Sequence, residues 1–318
     1  AGKGITGTKL TGNNNTAVGK DAGLLLQGAA AENCIFGALA GDAITTGGEN
    51  CLFGMGAGGS IQTSIRNTFF GDDAGNTCTT GDSNVAMGHA AMGQGVTTGD
   101  FNVAIGFTAG ATLTSGTLNT VMGKNAGGSI NTGTQNTFVG ALAGDATDDG
   151  LNNTAVGYGA LSANCTNENV AVGASALLIS TSGRNTAVGM GAGDANTTGG
   201  GNVYIGYDCA AYQNDATSGA DNTYVGAFAR PSAATVGSEI AIGRYVLGQG
   251  TLTATLGING NGATISIDGS DTSWAAHSDE RLKENITTST AGLSFINDLR
   301  PVTYTWKAKN AISEDFVN

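Results

Sequence analysis

The sequence predicts an all-β fold: a parallel β-solenoid of about 14 coils of 16–18 residues whose outer strand face calls for another subunit, with a short C-terminal α+β segment. Three observations predict it. A pentapeptide, Asn-x-x-(large apolar)-Gly, recurs at near-constant spacing, which is the mark of a repeat architecture. The residues between the Asn and the Gly are apolar on both faces of a short strand, and composition breaks sharply at Ser278.

The first twelve residues are rich in Gly and Thr and read as a leading segment without chemistry of their own. From 13 to 246 the coils follow one another. Thirteen copies pair Asn15 with Gly19, Asn33 with Gly37, Asn50 with Gly54, Asn67 with Gly71, Asn84 with Gly88, Asn102 with Gly106 and Asn119 with Gly123. They continue with Asn136 and Gly140, Asn153 and Gly157, Asn169 and Gly173, Asn185 and Gly189, Asn202 and Gly206, and Asn222 and Gly226. Glu239 to Gly243 is a fourteenth copy without its Asn, and Thr253 to Gly257 reads as a decayed fifteenth.

Alternation along a strand puts the second and fourth motif positions on one face and the third on the other. The fourth is always large and apolar (Val18, Phe36, Phe53, Phe70, Met87, Ile105), so it is expected to fill the coil. The third (Ile35, Leu52, Phe69, Ala86, Tyr204, Tyr224) is then expected to face outward and to need another subunit. The closing Gly permits a tight bend, and Ala three residues later suits a crowded corner. The motif Asn either stacks with its neighbours along the rod or simply forms a turn. One coil cannot fold alone, so neighbours must share core and hydrogen bonds; at about 4.8 Å per coil the rod measures roughly 65 Å.

Composition excludes several functions. A net charge of −12 gives no footprint for nucleic acid. No apolar run is long enough for a membrane span, and the N-terminus carries no signal-like segment. Five cysteines lack a metal-ligand spacing, and no cofactor or metal is expected. Cys34 and Cys51 occupy the second motif position and read as free thiols, a bridge between stacked coils being the alternative; Cys78, Cys165 and Cys209 lie in connecting segments. The acidic stretches Asp72-Asp73 and Asp145 to Asp149 lack a calcium-loop pattern and read as solvated turns. His89 reads as a coil-surface residue, and Gly-rich segments are turns rather than phosphate loops.

The nonapeptide Asn-Thr-Ala-Val-Gly-x-x-Ala-Gly resembles the repeat of trimeric autotransporter adhesin heads and of related phage tail-fibre shafts. That resemblance covers about 230 residues and implies left-handed parallel β-rolls packed as trimers; the coils here run longer than in those heads.

Residues 247–277 read as a β neck built from Thr251–Leu256 and Thr264–Gly269, with Trp274 packed at its end. The last 41 residues hold one Gly against 53 before them and 11 of the 38 charged residues, so 278–318 is a different domain. On residues alone, Ser278 before a charged run is either a helix N-cap or a nucleophile. Lys283 is five residues on, about 140° away around a helix, so spacing does not pair them.

The run His277-Ser278-Asp279-Glu280-Arg281-Leu282-Lys283-Glu284-Asn285-Ile286, followed by Leu299-Arg300-Pro301-Val302-Thr303-Tyr304-Thr305-Trp306, resembles the start of the C-terminal intramolecular chaperone of phage tail spikes, tail fibres and endosialidases. The resemblance implies a chaperone that drives trimerisation and then cuts itself off. It implies Ser278–Asp279 as the scissile bond, Ser278 as nucleophile and Lys283 as its base; His277 is a junction residue. The family's chaperone runs longer than 278–318, so this segment reads as a truncated start.

The functional expectation is a structural and adhesive trimeric fibre, a virion tail-fibre shaft for host attachment, with no substrate-directed enzyme activity. Its expected partners are two further copies of itself, a host receptor of glycan or protein, and other tail proteins upstream of Ala1. A bacterial cell-surface trimeric adhesin and a glycan-degrading tail spike are the alternatives.

Overall fold

The computed structural model describes residues 9–211, 217–270 and 275–276. The chain divides into two compact units, 1–277 and 278–318; the second, with the expected α+β segment, lies outside the described residues.

The first unit is a parallel β-solenoid. Its repeating strands are β1 (Thr16–Val18), β2 (Cys34–Phe36), β3 (Cys51–Phe53), β4 (Thr68–Phe70), β5 (Val85–Met87), β6 (Val103–Ile105) and β7 (Thr120–Met122). β8 (Thr137–Val139), β9 (Thr154–Val156), β10 (Val170–Val172), β11 (Thr186–Val188), β12 (Val203–Ile205), β13 (Thr223–Val225) and β14 (Ile240–Ile242) continue the stack. Each pairs in parallel with the next so that like motif positions face one another, as in Ile35↔Leu52 and Tyr204↔Tyr224. β15 (Thr253–Ile258) adds a fifteenth parallel rung, placing Thr255 beside Ala241. The direction then reverses: β16 (Asn261–Ser266) pairs antiparallel with β15, and β17 (Ala275–Ala276) antiparallel with β16. Trp274 and His277 lie outside the described residues.

The strand faces are the reverse of the expectation. The third motif position fills the coil: Ile35, Leu52, Phe69, Phe138, Tyr204 and Tyr224 are fully buried, as are Ala86, Ala155, Ala171 and Ala187. The second and fourth positions face outward. Side-chain size does not report which face is inside, because the coil interior is narrow and small residues serve it well. Where the third position is Phe69, Phe138 or Tyr204, a glycine (Gly75, Gly144, Gly193) lies against the ring, and a Cβ there would overlap it. Where the third position is Ala86, Ala155 or Ala171, the corner six residues later is Met92, Leu161 or Leu177, all buried. Large and small thus alternate across the interior to keep it close-packed.

The motif Asn forms a continuous ladder. From Asn33 to Asn222 each is at most 1% exposed. The backbone N–H of each donates to the Oδ1 of the Asn one coil earlier, at 2.8–3.2 Å. The Nδ2 donates to a carbonyl at the far end of the same coil, as Asn33 to Gly47 (3.0 Å) and Asn119 to Gly133 (2.8 Å). Asn is selected because one short side chain must both accept and donate here. The ladder ends at Glu239, whose N–H still donates to Asn222 Oδ1 (2.9 Å). Its buried carboxylate accepts from Tyr224 Oη–H (2.8 Å), Ser232 N–H (3.1 Å) and Gly250 N–H (2.6 Å).

The motif glycines, Gly19 through Gly243, adopt φ of 129–143°, and a Cβ on any of them would overlap the backbone of the next coil. Glycine is therefore obligatory at this corner.

Candidate functional site: the outer sheet face and the Ser278 junction

Because the strands stack in register, the fourth motif position forms one outward column along the solenoid. Eleven of its members (Val18, Phe53, Phe70, Met87, Met122, Val156, Val172, Val188, Ile205, Ile242 and Leu256) are 36–52% exposed. A contiguous exposed apolar stripe of this kind is a surface that marks an interaction site. Near its start, Phe36, Phe53 and Phe70 stack face to face, with centroids 5.8 and 4.9 Å apart. Beside it runs the residue after the motif Gly, with Met55, Phe107, Tyr158, Met190 and Tyr207 exposed.

The same neighbouring column carries charge in its middle. His89 Nε2 lies 3.6 Å from Asp72 Oδ2, and its ring stacks on Phe107 at 5.3 Å. Asp72 Oδ1 is buried without a hydrogen-bond partner. Further along, Phe228 stacks on Tyr245 at 4.5 Å and meets Tyr207 edge-on at 5.2 Å, while the Arg244 guanidinium sits 4.6 Å from the Tyr245 ring centre.

The acidic residues serve turns. Asp73 Oδ1 accepts from Asn76 Nδ2 (3.1 Å), Asp145 Oδ1 accepts from the Ser162 hydroxyl, and Asp148 N–H donates to Asn164 Oδ1 (3.1 Å). Among the described residues, no group of three His, Cys, Asp or Glu is placed to hold a metal, and no helix is long and apolar enough to cross a membrane. An open polar groove lined by Asn167, Glu168, Arg184 and Asp221 runs across the coil corners before the motif Asn.

All five cysteines are free. Cys78, Cys165 and Cys209 are buried in the core, and burial pushes the Cys78 and Cys209 thiols up to about 12. Cys34 and Cys51 are exposed and are register partners in β2 and β3.

Ser278 and Lys283 lie outside the described residues. Residues 278–316 match the model of a known family, described as chaperone of endosialidase. No curated protein and no solved structure matches the chain. The chain thus joins a β-solenoid to a segment similar to the chaperone of endosialidase, which is consistent with a protein of tail-spike or tail-fibre type.

Three features escaped sequence reading. The outer column was assigned to the interior, the residue after the motif Gly was not recognised as a second surface column, and Glu239 was seen only as a lost Asn. The third had a visible signal, since an acid in an otherwise invariant amide column marks the place where the ladder stops.

Proposed function

We propose that the outer apolar column is the seam of a homotrimer, and that the chain is a virion tail-fibre shaft used in host attachment. The observation that carries this reading is the persistence of a large apolar side chain at the fourth motif position of each coil, most of them exposed in one protomer. Three copies packed about one axis would remove that stripe from water, at roughly 25 cal/mol per Å². The chaperone-of-endosialidase match supports trimer formation, because stacked coils without a registering domain have no means of aligning three equivalent rods.

In the same proposal Ser278 is the nucleophile that cuts the Ser278–Asp279 bond, and Lys283 is the base that takes its proton. A lysine desolvated between chains would lose its charge readily enough for that role. The test is to express the chain joined to a chaperone domain of this family. The expected outcome is two fragments, the larger ending at Ser278, with Ser278→Ala giving one uncut chain that still assembles. Cutting that survives Ser278→Ala would refute the assignment. Host attachment is tested separately: labelled shaft should bind host cells and compete with virions, and binding without competition would remove that role.

A further inference from the structure

The sequence places cysteine at the second motif position in two coils only, and they are consecutive; the other coils carry Thr, Val, Ile or, in the last rung, Ala there. The register of β2 and β3 sets Cys34 directly opposite Cys51, on the outward face. Parallel neighbours lie about 4.8 Å apart, within the Cα separation of about 4.4–6.8 Å that a disulfide spans. Drawing the two Cβ atoms together by about 1 Å completes the approach.

We propose that Cys34 and Cys51 form a reversible intrachain disulfide that staples the second coil to the third. Burial raises the Cys51 thiol above its ordinary value, and the neighbouring Cys34 thiol adds to that rise. No other cysteine competes, since Cys78, Cys165 and Cys209 are sealed in the core at 0–1% exposure. The staple sits beside the Phe36–Phe53–Phe70 stack, where it locks the spacing of the strands that carry those rings.

The oxidant is a low-molecular-weight disulfide. One cysteine thiolate attacks it, forming a mixed disulfide and expelling one thiolate. The second cysteine thiolate then attacks the protein sulfur, forming the Cys34–Cys51 bond and expelling the other. Two protein thiols are oxidised, the small disulfide is reduced to two thiols, and the two protons pass to the expelled thiolates. The closed loop spans one coil, so the bond constrains the unfolded chain most at the N-terminal end of the stack.

The test is to incubate the folded full chain with oxidised glutathione, then denature, alkylate and map the peptides. The expected result is three alkylated cysteines and a linked peptide pair joining Cys34 to Cys51 within one chain, reversed by dithiothreitol. Cys34→Ser and Cys51→Ser should each stop at a glutathione adduct on the remaining thiol. Hydrogen exchange should slow at least threefold between Gly37 and Gly54 on oxidation of the wild type and stay unchanged in both variants. Five alkylated cysteines, a stable double glutathione adduct, or a link between two chains would overturn the proposal. The mass of the reduced protein reads the assembly state separately.

Discussion

The two faces of each three-residue strand obey opposite rules. The inner column varies from Ala to Tyr along the stack, and several of its changes are matched inside the same chain: Phe69 by Gly75, Tyr204 by Gly193, Ala155 by Leu161. The outer column barely varies in character, staying large and apolar from Val18 to Leu256, although 36–52% of the surface of its exposed members faces water. A position free to change size when its neighbour compensates is held by packing within the protomer. One that stays large without local compensation is held by something outside it, and under the trimer proposal that is another copy.

Mutations on the two faces should therefore separate folding from assembly. The largest effect is expected for Phe69→Asp, which buries an unpaired carboxylate where nothing can hydrogen-bond it. It should abolish the cooperative unfolding transition seen by circular dichroism, whereas Phe70→Asp, one residue on, should leave the far-UV spectrum intact and lower the assembled mass. If Phe70→Asp unfolds the protein as fully as Phe69→Asp, the division between the faces fails.

Next in size is the ladder. Asn119→Leu strands the Asn136 N–H and the Gly133 carbonyl, each bonded to Asn119 at 2.8–3.0 Å. With about 1–3 kcal/mol for each stranded buried group, it should lower stability by roughly 2–6 kcal/mol in urea melts. A loss below about 1 kcal/mol would mean that the amide is a turn former rather than a ladder rung.

A smaller effect of opposite sign is expected at Tyr204. Its hydroxyl is buried without a partner, while the stacked Tyr224, centroid 6.0 Å away, bonds to Glu239. Tyr204→Phe should stabilise by on the order of 1 kcal/mol, because the unpaired hydroxyl is buried at a cost. Tyr224→Phe should destabilise, since it takes one donor from a buried carboxylate.

The smallest effect is in alkali. Burial raises the Cys78 and Cys209 thiols from their ordinary range to about 12. The folded state then holds protons that the unfolded state releases, so their contribution is complete below about pH 9 and is lost as pH rises toward 12. Urea midpoints should fall over that window, and Cys78→Ala should flatten the fall in part. Burial also raises Tyr204 and Tyr224, so some slope should remain.

Much of the solenoid was legible in the sequence because its constraints are local and repeated. The glycine corner announces itself, since no other residue tolerates both its φ and the approach of the next coil's backbone. The stack, its in-register pairing and the fifteenth rung at Thr253 follow from the period. The choice of face did not, because alternation reports two faces and not which is inside; the better guide was the covariation of Phe69 with Gly75 and Ala155 with Leu161. Left-handed corners were also hidden: Leu118, Arg184 and Phe228 all have φ near +60°, where L-residues carry a strain of about 1–2 kcal/mol that only the neighbouring coils can enforce. The Ser278 junction was legible through resemblance alone, for five-residue spacing places Ser278 and Lys283 on no common helix face.

The central claim is that the outer column belongs to a seam between copies, and sedimentation equilibrium tests it most directly. The account predicts a species of three times the 31.3 kDa chain mass, falling to a folded single chain when Phe53 and Val188 are both replaced by Asp. A wild-type solenoid that sediments as a folded 31.3 kDa monomer would contradict it.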